Sequence, residues 1–233
     1  MQAHDLSPVF EVLQSAAWLQ SFPDDLVRSL IAEGHLIRLN AGEWAQAEGD
    51  DRPGFLVVIS GLLHSYCAAP GGREVLIGLV GPGSVIGHAT RYSGGPRLVT
   101  AVCVEPCALL EVSLAALDRI GSRTPQIWQA MAGFAYTHMR STLRMAAEVI
   151  SLPPRERIAA RLLAFRDQAG TENSAVIRIS QELLGEMMGL TRKTINHHLA
   201  TFETAGLIKA GYGKITLTNI AGLKQIADRV VEG

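Results

Sequence analysis

The segment from residue 179 to residue 217 constrains the fold more than any other part of the chain. Ser180 can cap a first helix with its hydroxyl, Gly189 breaks that helix, and Thr191 can cap a second one. Gly206 ends the second helix, and the triplet Gly211-Tyr212-Gly213 suits the turn of a two-stranded ribbon. This order predicts a winged helix-turn-helix, a unit that places its second helix in the major groove of DNA.

The second helix of this segment has one apolar face and one polar face. Ile195, Leu199 and Phe202 recur at helical spacing, so the residues opposite them are predicted to face outward. Arginine and lysine can donate to guanine, and asparagine can pair with adenine, in the major groove. The predicted DNA contacts are Ser180, Gln181, Thr191, Arg192, Lys193, Asn196, His197 and Lys214.

The distribution of charge supports nucleic-acid binding by the C-terminal part. Residues 1–153 contain 10 basic and 14 acidic residues, a net −4, and residues 154–233 contain 11 and 8, a net +3, which together give the −1 of the whole chain. All four lysines lie in the second part, and Lys193, Lys209 and Lys214 lie on the proposed helix and wing. Clustered cations are the expected footprint of phosphate binding.

Composition excludes several other classes of protein. The chain has 233 residues, 48% of them hydrophobic, which is enough for one large or two modest domains. It has no apolar run of about 18 residues, so no membrane span is predicted, and its first residues do not resemble a secretion signal. Three cysteines, an odd number, argue against a disulfide framework. The expected location is the cytoplasm.

The N-terminal half has the pattern of an antiparallel β-structure. A helix is predicted from Pro23, as its first residue, to Gly34. From about residue 35 to residue 112, short apolar runs are separated by glycine turns every 8–12 residues, which predicts an antiparallel roll or barrel. The clearest runs are Phe55–Ile59, Val75–Val80, Leu98–Val104 and Leu109–Val112.

A long helix is predicted over residues 125–152, where Gly133 is the only glycine and Pro125 the only proline. Two apolar stripes run along it, and one of them has heptad spacing. Two stripes require two partners, which we expect to be the roll and the same helix of a second subunit; one broad face buried within a monomer is the alternative. The predicted dimer contacts are Trp128, Ala132, Ala135, Met139, Thr142, Ala146 and Val149.

Leu152-Pro153-Pro154 must interrupt this helix, because proline lacks the amide hydrogen that a helix interior needs. A further helix is predicted to begin near Arg155. The interruption predicts a hinge between the long helix and the proposed DNA-binding unit.

Taken in this order, the motifs resemble those of the cyclic-AMP receptor protein / fumarate–nitrate regulator (CRP/FNR) family of bacterial transcription factors, over nearly the whole chain. The start of the second helix, Thr191-Arg192-Lys193-Thr194-Ile195, is similar to the family's DNA-reading motif. Turn motifs of the roll are also similar: Gly42-Glu43, Glu48-Gly49-Asp50, Ser60-Gly61, Gly71-Gly72-Arg73-Glu74, Gly81-Pro82-Gly83, Ile86-Gly87 and Pro96-Arg97.

The resemblance implies an α+β fold with three parts. These are a cyclic-nucleotide-binding-like antiparallel β-roll with N-terminal helices (residues 1–124), a dimerisation helix (125–152) and a winged helix-turn-helix DNA-binding domain (153–233). It also implies a homodimer on a roughly palindromic double-stranded operator, with half-sites about one DNA turn apart. RNA polymerase is a further expected partner if the protein activates transcription.

The proposed effector pocket departs from the cyclic-AMP binders of the family. Those members have Glu where this chain has His88, Ser where it has Leu98, and a second hydroxyl residue after Thr142, where it has Leu143. Gly87, His88 and Arg97 can still hold an anion through backbone amides and a guanidinium. The roll is therefore expected to sense an unidentified small effector, of which a cyclic nucleotide is one candidate, or to sense nothing; alternatively, Arg97 is a structural arginine paired with an acid of the roll.

Other cofactors have little support in the sequence. Members of the family with an iron–sulfur cluster use N-terminal cysteines, whereas Cys67, Cys103 and Cys107 all lie in the roll. Pro106 separates the last two, so buried, unreactive cysteines are expected. Haem-binding members use a histidine near the position of His88, but one residue away. No metal site is predicted.

The second helix departs from the family as well. Members that read a G·C-rich half-site have Glu and a later Arg where this chain has Lys193 and His197, so its preferred DNA sequence should differ. Only Arg192 is unchanged.

The sequence disfavours two functions other than DNA binding. A cupin-like metalloenzyme needs several converging ligands, whereas His35, His64 and His88 are isolated in the sequence. A cyclic-nucleotide regulatory module without DNA binding would not be followed by a basic winged unit. The sequence therefore predicts a transcription regulator rather than an enzyme. Its effector, operator and direction of control are not encoded in any recognisable motif.

Overall fold

The computed structural model describes residues 7–51, 54–89, 94–168 and 176–228. The described residues fall into two compact units, and the division between them lies between Met139 and Arg140. Within the described residues no helix is long and apolar enough to cross a membrane. The helices are α1 (Ser7–Ser15), α2 (Asp24–Glu33), α3 (Leu114–Arg123), α4 (Gln126–Ser151), α5 (Pro154–Gln168), α6 (Gln181–Met188), α7 (Arg192–Thr204) and α8 (Ile220–Ala227).

The first unit contains the predicted antiparallel roll. Its strands are β1 (His35–Leu39), β2 (Trp44–Gln46), β3 (Phe55–Ser60), β4 (Leu63–Ala69), β5 (Arg73–Val80), β6 (Val85–Ile86), β7 (Thr100–Cys103) and β8 (Cys107–Val112). They form two four-stranded sheets, in the orders β1-β8-β3-β6 and β2-β7-β4-β5, and all strand pairs are antiparallel. The predicted α+β fold is confirmed.

The side chains of the strands pack into two hydrophobic clusters, one between the two sheets and one between a sheet and the helices. Because successive side chains of a strand point to opposite faces, Val58 and Leu109 lie between the two sheets, whereas Val57 and Leu110 face the helices α1, α2 and α3. The run predicted from Leu98 to Val104 is shorter than expected, since β7 ends before Val104 and begins after Leu98, and both of these residues are exposed.

Three local details differ from the sequence-based expectation. Pro23 occupies the N-cap of α2 rather than its first helical position, and Gly34 ends that helix as predicted. Helix α3 was not anticipated; Ser113 caps it by accepting a hydrogen bond from the amide of Ala116. The wing is a three-stranded sheet rather than a two-stranded ribbon, since β9 (Val176–Ile177) pairs with β11 (Lys214–Leu217), which also pairs with β10 (Ile208–Gly211).

The long helix follows the predicted pattern. It ends at Ser151, and a new helix begins at Pro154, so the predicted interruption is confirmed. One of its faces, with Ile127, Ala130 and Met131, is fully buried in the core of the first unit.

Candidate nucleic-acid interface

The turn between α6 and α7 is set by two glycines. Gly189 ends α6 with a φ of +62°, a left-handed conformation that glycine adopts without steric cost. A Cβ on Gly185 would lie 2.8 Å from the carbonyl oxygen of Leu190, so the chain passes too close for a side chain there. The Leu190 amide donates to the Gly185 carbonyl at 2.9 Å. This turn fixes where α7 begins.

The inner and outer faces of α7 lie as predicted. Ile195, Leu199 and Phe202 are buried. Thr191 is the N-cap, and its hydroxyl accepts from the Thr194 amide at 3.2 Å. Four of the predicted DNA contacts lie on the exposed side of the helix: Arg192, Lys193, Asn196 and His197.

The predicted contacts on α6 have a second role. Ser180 is the N-cap of α6, and its hydroxyl accepts from the Leu183 amide at 3.1 Å. That hydroxyl can still donate its own hydrogen to another acceptor. Ser180 and Gln181 are both half-buried at the start of α6, where the positive end of the helix favours an anion.

The wing is bonded to α7 by a contact that no sequence motif indicates. The amide of Ala210 on β10 donates to a carboxylate oxygen of Glu203 at 3.0 Å. Glu203 and Ala210 are seven residues apart, and no local pattern predicts their pairing. Lys209 on β10 and Lys214 on β11 are exposed, and Tyr212 at the tip of the wing is fully exposed. These cations and the first turn of α7 belong to the same unit.

The proposed effector pocket is arranged around Arg97, which is buried. Its Nη1 donates to the carbonyl oxygen of Gly54 at 3.0 Å, and its backbone amide donates to the carbonyl of Asp50 at 2.9 Å. A Cβ built on Gly87 would overlap Nη1, and Gly87 has a φ of +80°, so glycine is needed there. The guanidinium therefore occupies the space directly against Gly87, where the sequence predicted an anion.

Two buried polar atoms of this pocket have no hydrogen-bond partner within the described residues: Nε of Arg97 and Nδ1 of His88. The pKa of His88 is lowered to about 4, mainly by burial and to a smaller extent by the neighbouring His138 and Arg97. Burial also lowers the pKa of Arg97, although the charge of Asp50 opposes this effect. The His88 ring contacts the rings of Phe134 and His138 edge-on, with centroids 4.9 Å and 5.7 Å away. His88 is therefore an uncharged ring packed against the long helix.

The remaining predicted effector residues are exposed. Leu98 is 63% exposed beside Arg97, so its side chain points away from the core. Thr142 and Leu143 belong to the second unit and are exposed on α4. The first unit thus brings together Gly87, His88 and Arg97 only.

Two of the cysteines, Cys103 and Cys107, are packed in the hydrophobic core like small apolar side chains. Cys103 and Cys107 are buried between the sheets on either side of the turn at Pro106, and the Cys107 thiol donates to the carbonyl oxygen of Glu105 at 3.2 Å. Burial raises the pKa of the Cys107 thiol to about 12, which suppresses the reactive thiolate. Across the described ranges, no group of three or more His, Cys, Asp or Glu side chains could hold a metal ion.

The outer face of α4 is apolar and exposed, but it is rotated from the predicted stripe. Trp128 of that stripe packs against the core of its own roll, where its ring covers Gly121. Ala132, Met139 and Ala146 are exposed, Thr142 is also exposed, and Ala135 and Val149 are half-buried. The large exposed apolar side chains of α4 are Tyr136, Met139, Leu143 and Ile150.

The end of α4 is bonded to the helix that follows it. Arg161 of α5 is buried and donates to a carboxylate oxygen of Glu148, which is also buried. Arg157 donates twice to the carbonyl oxygen of Leu152, at 3.2 Å and 2.8 Å, and once to that of Met188, at 3.0 Å. Arg157 thus satisfies carbonyl groups at the ends of two helices, α4 and α6.

Comparison with protein families matches both units. The family model of the cyclic nucleotide-binding domain matches residues 36–124, and that of the Crp-like helix-turn-helix domain matches residues 156–226. A CRP-like cAMP-activated global transcriptional regulator of Mycobacterium tuberculosis is 26% identical over 208 residues, which are 85% of this chain and 91% of the relative.

Solved structures share the fold. The structure of FixK2 from Bradyrhizobium japonicum superposes with a TM-score of 0.69 at 20% identity, covering 85% of this chain and 99% of that one. The c-di-GMP responsive global regulator CLP of Xanthomonas campestris superposes with a TM-score of 0.68 at 20% identity, covering 84% and 99%. None of these relatives supports a metalloenzyme or a regulatory module without DNA binding.

Proposed function

Because the chain is a DNA-binding transcription regulator of the CRP/FNR family, a family of regulators rather than enzymes, we propose that it acts as a homodimer on a pseudo-palindromic operator. Each subunit inserts α7 into the major groove of one half-site. The two half-sites lie one helical turn, about 34–36 Å, apart. The protein works in the cytoplasm, where its DNA is.

The observation that supports this proposal most is the outer face of α7. Its first two turns expose Arg192, Lys193, Asn196 and His197, while its inner face is fully buried. These turns are the part of a recognition helix that reaches base edges. Arg192 is the proposed guanine contact, Asn196 the proposed adenine contact, and Lys193 and His197 donate to acceptors in the groove.

The remaining proposed contacts are to the DNA backbone. Ser180, Gln181 and Thr191 lie at the starts of α6 and α7, whose amide groups favour phosphate. Lys214 is exposed on the wing and is placed to reach a neighbouring phosphate. These contacts position the helix and carry no sequence information.

The proposed dimer forms along α4. Exposed apolar residues recur at intervals of four and three, at Ala132, Tyr136, Met139, Leu143, Ala146 and Ile150. That spacing suits a seam between two parallel helices. Ala135, Thr142 and Val149 flank this seam, and the two exposed alanines allow the helices to approach closely. The proposed seam contains Tyr136, Leu143 and Ile150, which the stripe predicted from the sequence did not include.

The proposed effector site is the pocket around Gly87, His88 and Arg97. A cyclic nucleotide-binding domain implies a possible small-molecule effector. An anion that binds there has to draw the Arg97 guanidinium away from Gly87 and the Gly54 carbonyl. Cyclic-AMP binders have a ribose-binding Glu where this chain has His88, a Ser after the phosphate-pairing Arg where it has Leu98, and a hydroxyl residue near the base where it has Leu143, so we propose an effector other than cyclic AMP. This effector acts by binding the DNA-competent arrangement of the protein more tightly than the arrangement that cannot bind DNA.

The ends of α4 and α5 transmit the state of the sensor in this proposal. The Glu148–Arg161 pair and the Arg157 hydrogen bonds join the last turns of the dimerisation helix to the helix-turn-helix. Activation would also need contact with RNA polymerase, which is a proposed partner.

Selection of bound duplexes from a random pool tests the proposal. The purified protein is offered the pool alone and with cyclic AMP, cyclic di-GMP or haem. Enrichment of an inverted repeat supports a dimeric regulator, and dependence on one additive identifies the effector class. An enriched single half-site contradicts the dimer, and no enrichment at modest salt contradicts DNA reading by α7.

A further inference from the structure

The outer edge of the wing is bonded to α7. Strand β10 lies at one edge of the three-stranded sheet, so every second amide along it points away from β11. Such an amide is normally left to water or to another chain. The amide of Ala210 donates instead to a carboxylate oxygen of Glu203, in the last turn of α7, at 3.0 Å. The carboxylate of Glu203 therefore closes the edge of the wing at this position.

Other bonds join the base of the wing to the end of α7. The hydroxyl of Thr218 donates to the carbonyl oxygen of Gly206 at 2.8 Å, and its amide donates to that of Leu207 at 2.9 Å. Both acceptors lie in the segment that connects α7 to β10. Ala210 is closer to the tip of the wing, so the bond to Glu203 resists tilting of the wing about its base.

Two lysines share the solvent-facing side of the wing. Lys209 lies opposite Thr216, and Lys214 lies opposite Gly211. Because side chains alternate along a strand, both lysines are on one face, and the buried Ile215 is on the other. A Cβ on Gly211 would lie 3.3 Å from Cγ and 3.4 Å from Cε of Lys214, so this lysine side chain lies across β10. The position of both cations thus depends on the orientation of the wing.

We infer that Glu203 is a positioning residue for DNA binding, which holds the wing so that Lys209 and Lys214 reach phosphates of the duplex that α7 enters. This inference rests on the proposed function, because it assumes that α7 enters the groove. An acid beside a polyanion weakens binding by its charge alone, so Glu203 favours the complex only through the group that it holds. A wing that is already fixed before it meets the duplex loses less conformational freedom on binding.

Hydrogen exchange of the full-length protein without DNA tests the bond itself. In Glu203→Ala the amide of Ala210 loses its acceptor, so peptides that contain β10 should exchange about tenfold faster, as expected for one hydrogen bond to a charged acceptor. Glu203→Gln keeps an oxygen that can accept this bond and should keep the protection. Peptides of α8 should be unchanged in both variants. Unchanged exchange of β10 in Glu203→Ala would overturn the inference without any use of DNA.

The salt dependence of DNA binding separates positioning from charge and from stability. Affinity is measured by fluorescence anisotropy with a labelled duplex of the selected operator. Each lysine–phosphate contact contributes about 0.9 to the slope of log affinity against log salt, so loss of both contacts in Glu203→Ala should make the slope shallower by up to about 1.8. The affinity lost should then be about tenfold greater at about 50 mM than at about 200 mM salt. A variant that is merely less folded loses the same factor at every salt concentration.

Two matched variants control for the removed charge. Glu203→Gln keeps the bond and loses the repelling charge, so it should bind at least as tightly as the wild type. Glu186→Ala removes another exposed acid of the same unit and should not weaken binding. If Glu203→Gln bound as weakly as Glu203→Ala, or if Glu203→Ala bound as tightly as the wild type, the positioning role would be wrong.

Removal of both lysines shows whether Glu203 acts through them. Lys209→Gln combined with Lys214→Gln should weaken binding in the wild-type background and have a much smaller effect in the Glu203→Ala background. Equal effects in the two backgrounds would overturn the inference and leave the proposed function intact. Failure of the wild type to bind any duplex would overturn both.

Discussion

Replacing Glu148 with glutamine removes the negative charge that faces the buried guanidinium of Arg161. The side chains are 10% and 4% exposed, respectively, so water cannot replace the lost partner. Leaving one member of a buried ion pair uncompensated costs about 3–5 kcal/mol. We therefore expect the helix pair α4–α5 to open more readily in Glu148→Gln, by at least about two orders of magnitude in equilibrium constant.

Hydrogen exchange of the amides of α5, followed by mass spectrometry, measures this opening directly. The protein supplies an internal control, because its three tryptophans, Trp18, Trp44 and Trp128, all belong to the first unit. Unfolding of residues 1–139, followed by tryptophan fluorescence in urea, should be unchanged.

A matched variant distinguishes burial from charge alone. Arg144 approaches the same carboxylate at 3.4 Å, but its side chain is 80% exposed, so Arg144→Gln should cost less than about 1 kcal/mol. Adding Arg161→Met to Glu148→Gln removes the stranded charge and should restore part of the protection. Equal effects of the Glu148 and Arg144 variants, or exchange of α5 that changes less than about threefold, would refute the reasoning.

Three further outcomes are expected. Arg192→Ala should weaken specific DNA binding by about 1–3 kcal/mol and relax one base preference, whereas Lys224→Ala on α8 should leave it unchanged; titration of matched and mismatched operators measures both. Leu143→Asp should shift the protein towards monomer in sedimentation velocity, and an equal shift for Thr137→Asp, on another face of α4, would contradict the seam. Since the folded pKa of His88 is about 4 and the unfolded value about 6.5, the unfolded state binds more protons between these values. The free energy of unfolding of residues 1–139 should thus fall as the pH drops from about 6.5 to about 4, by up to about 3 kcal/mol, and His88→Gln should flatten this slope in urea titrations.

The helix-turn-helix could be predicted because its signals are local. Ser180, Gly189 and Thr191 act within three or four residues, as caps and a helix end, and the structure places each of them in that role. The buried stripe of α7 follows from helical periodicity alone. The third strand of the wing could not be predicted in the same way, since β9 is only two residues long and pairs with residues almost 40 positions away.

Periodicity was insufficient on the long helix for a different reason. Both of its stripes are apolar, and a heptad count does not say which residues the roll covers. In the structure the ring of Trp128 packs against the roll, because Gly121 has no side chain and leaves room for it. Tyr136 and Ile150 are exposed and are therefore available to a partner. The same limit applies to Arg97, whose contact with Gly87, ten positions away, follows from no periodic pattern.

Methylation interference on the selected operator tests most directly whether α7 lies in the major groove. Dimethyl sulfate methylates guanine N7, which faces that groove, and bound and free duplexes are then compared base by base. Two clusters of interfering guanines, symmetric and about one helical turn apart, are expected, and Arg192→Ala should abolish interference at one guanine in each. Uniform tolerance of guanine methylation by a protein that still binds the duplex would contradict insertion of α7 into the groove.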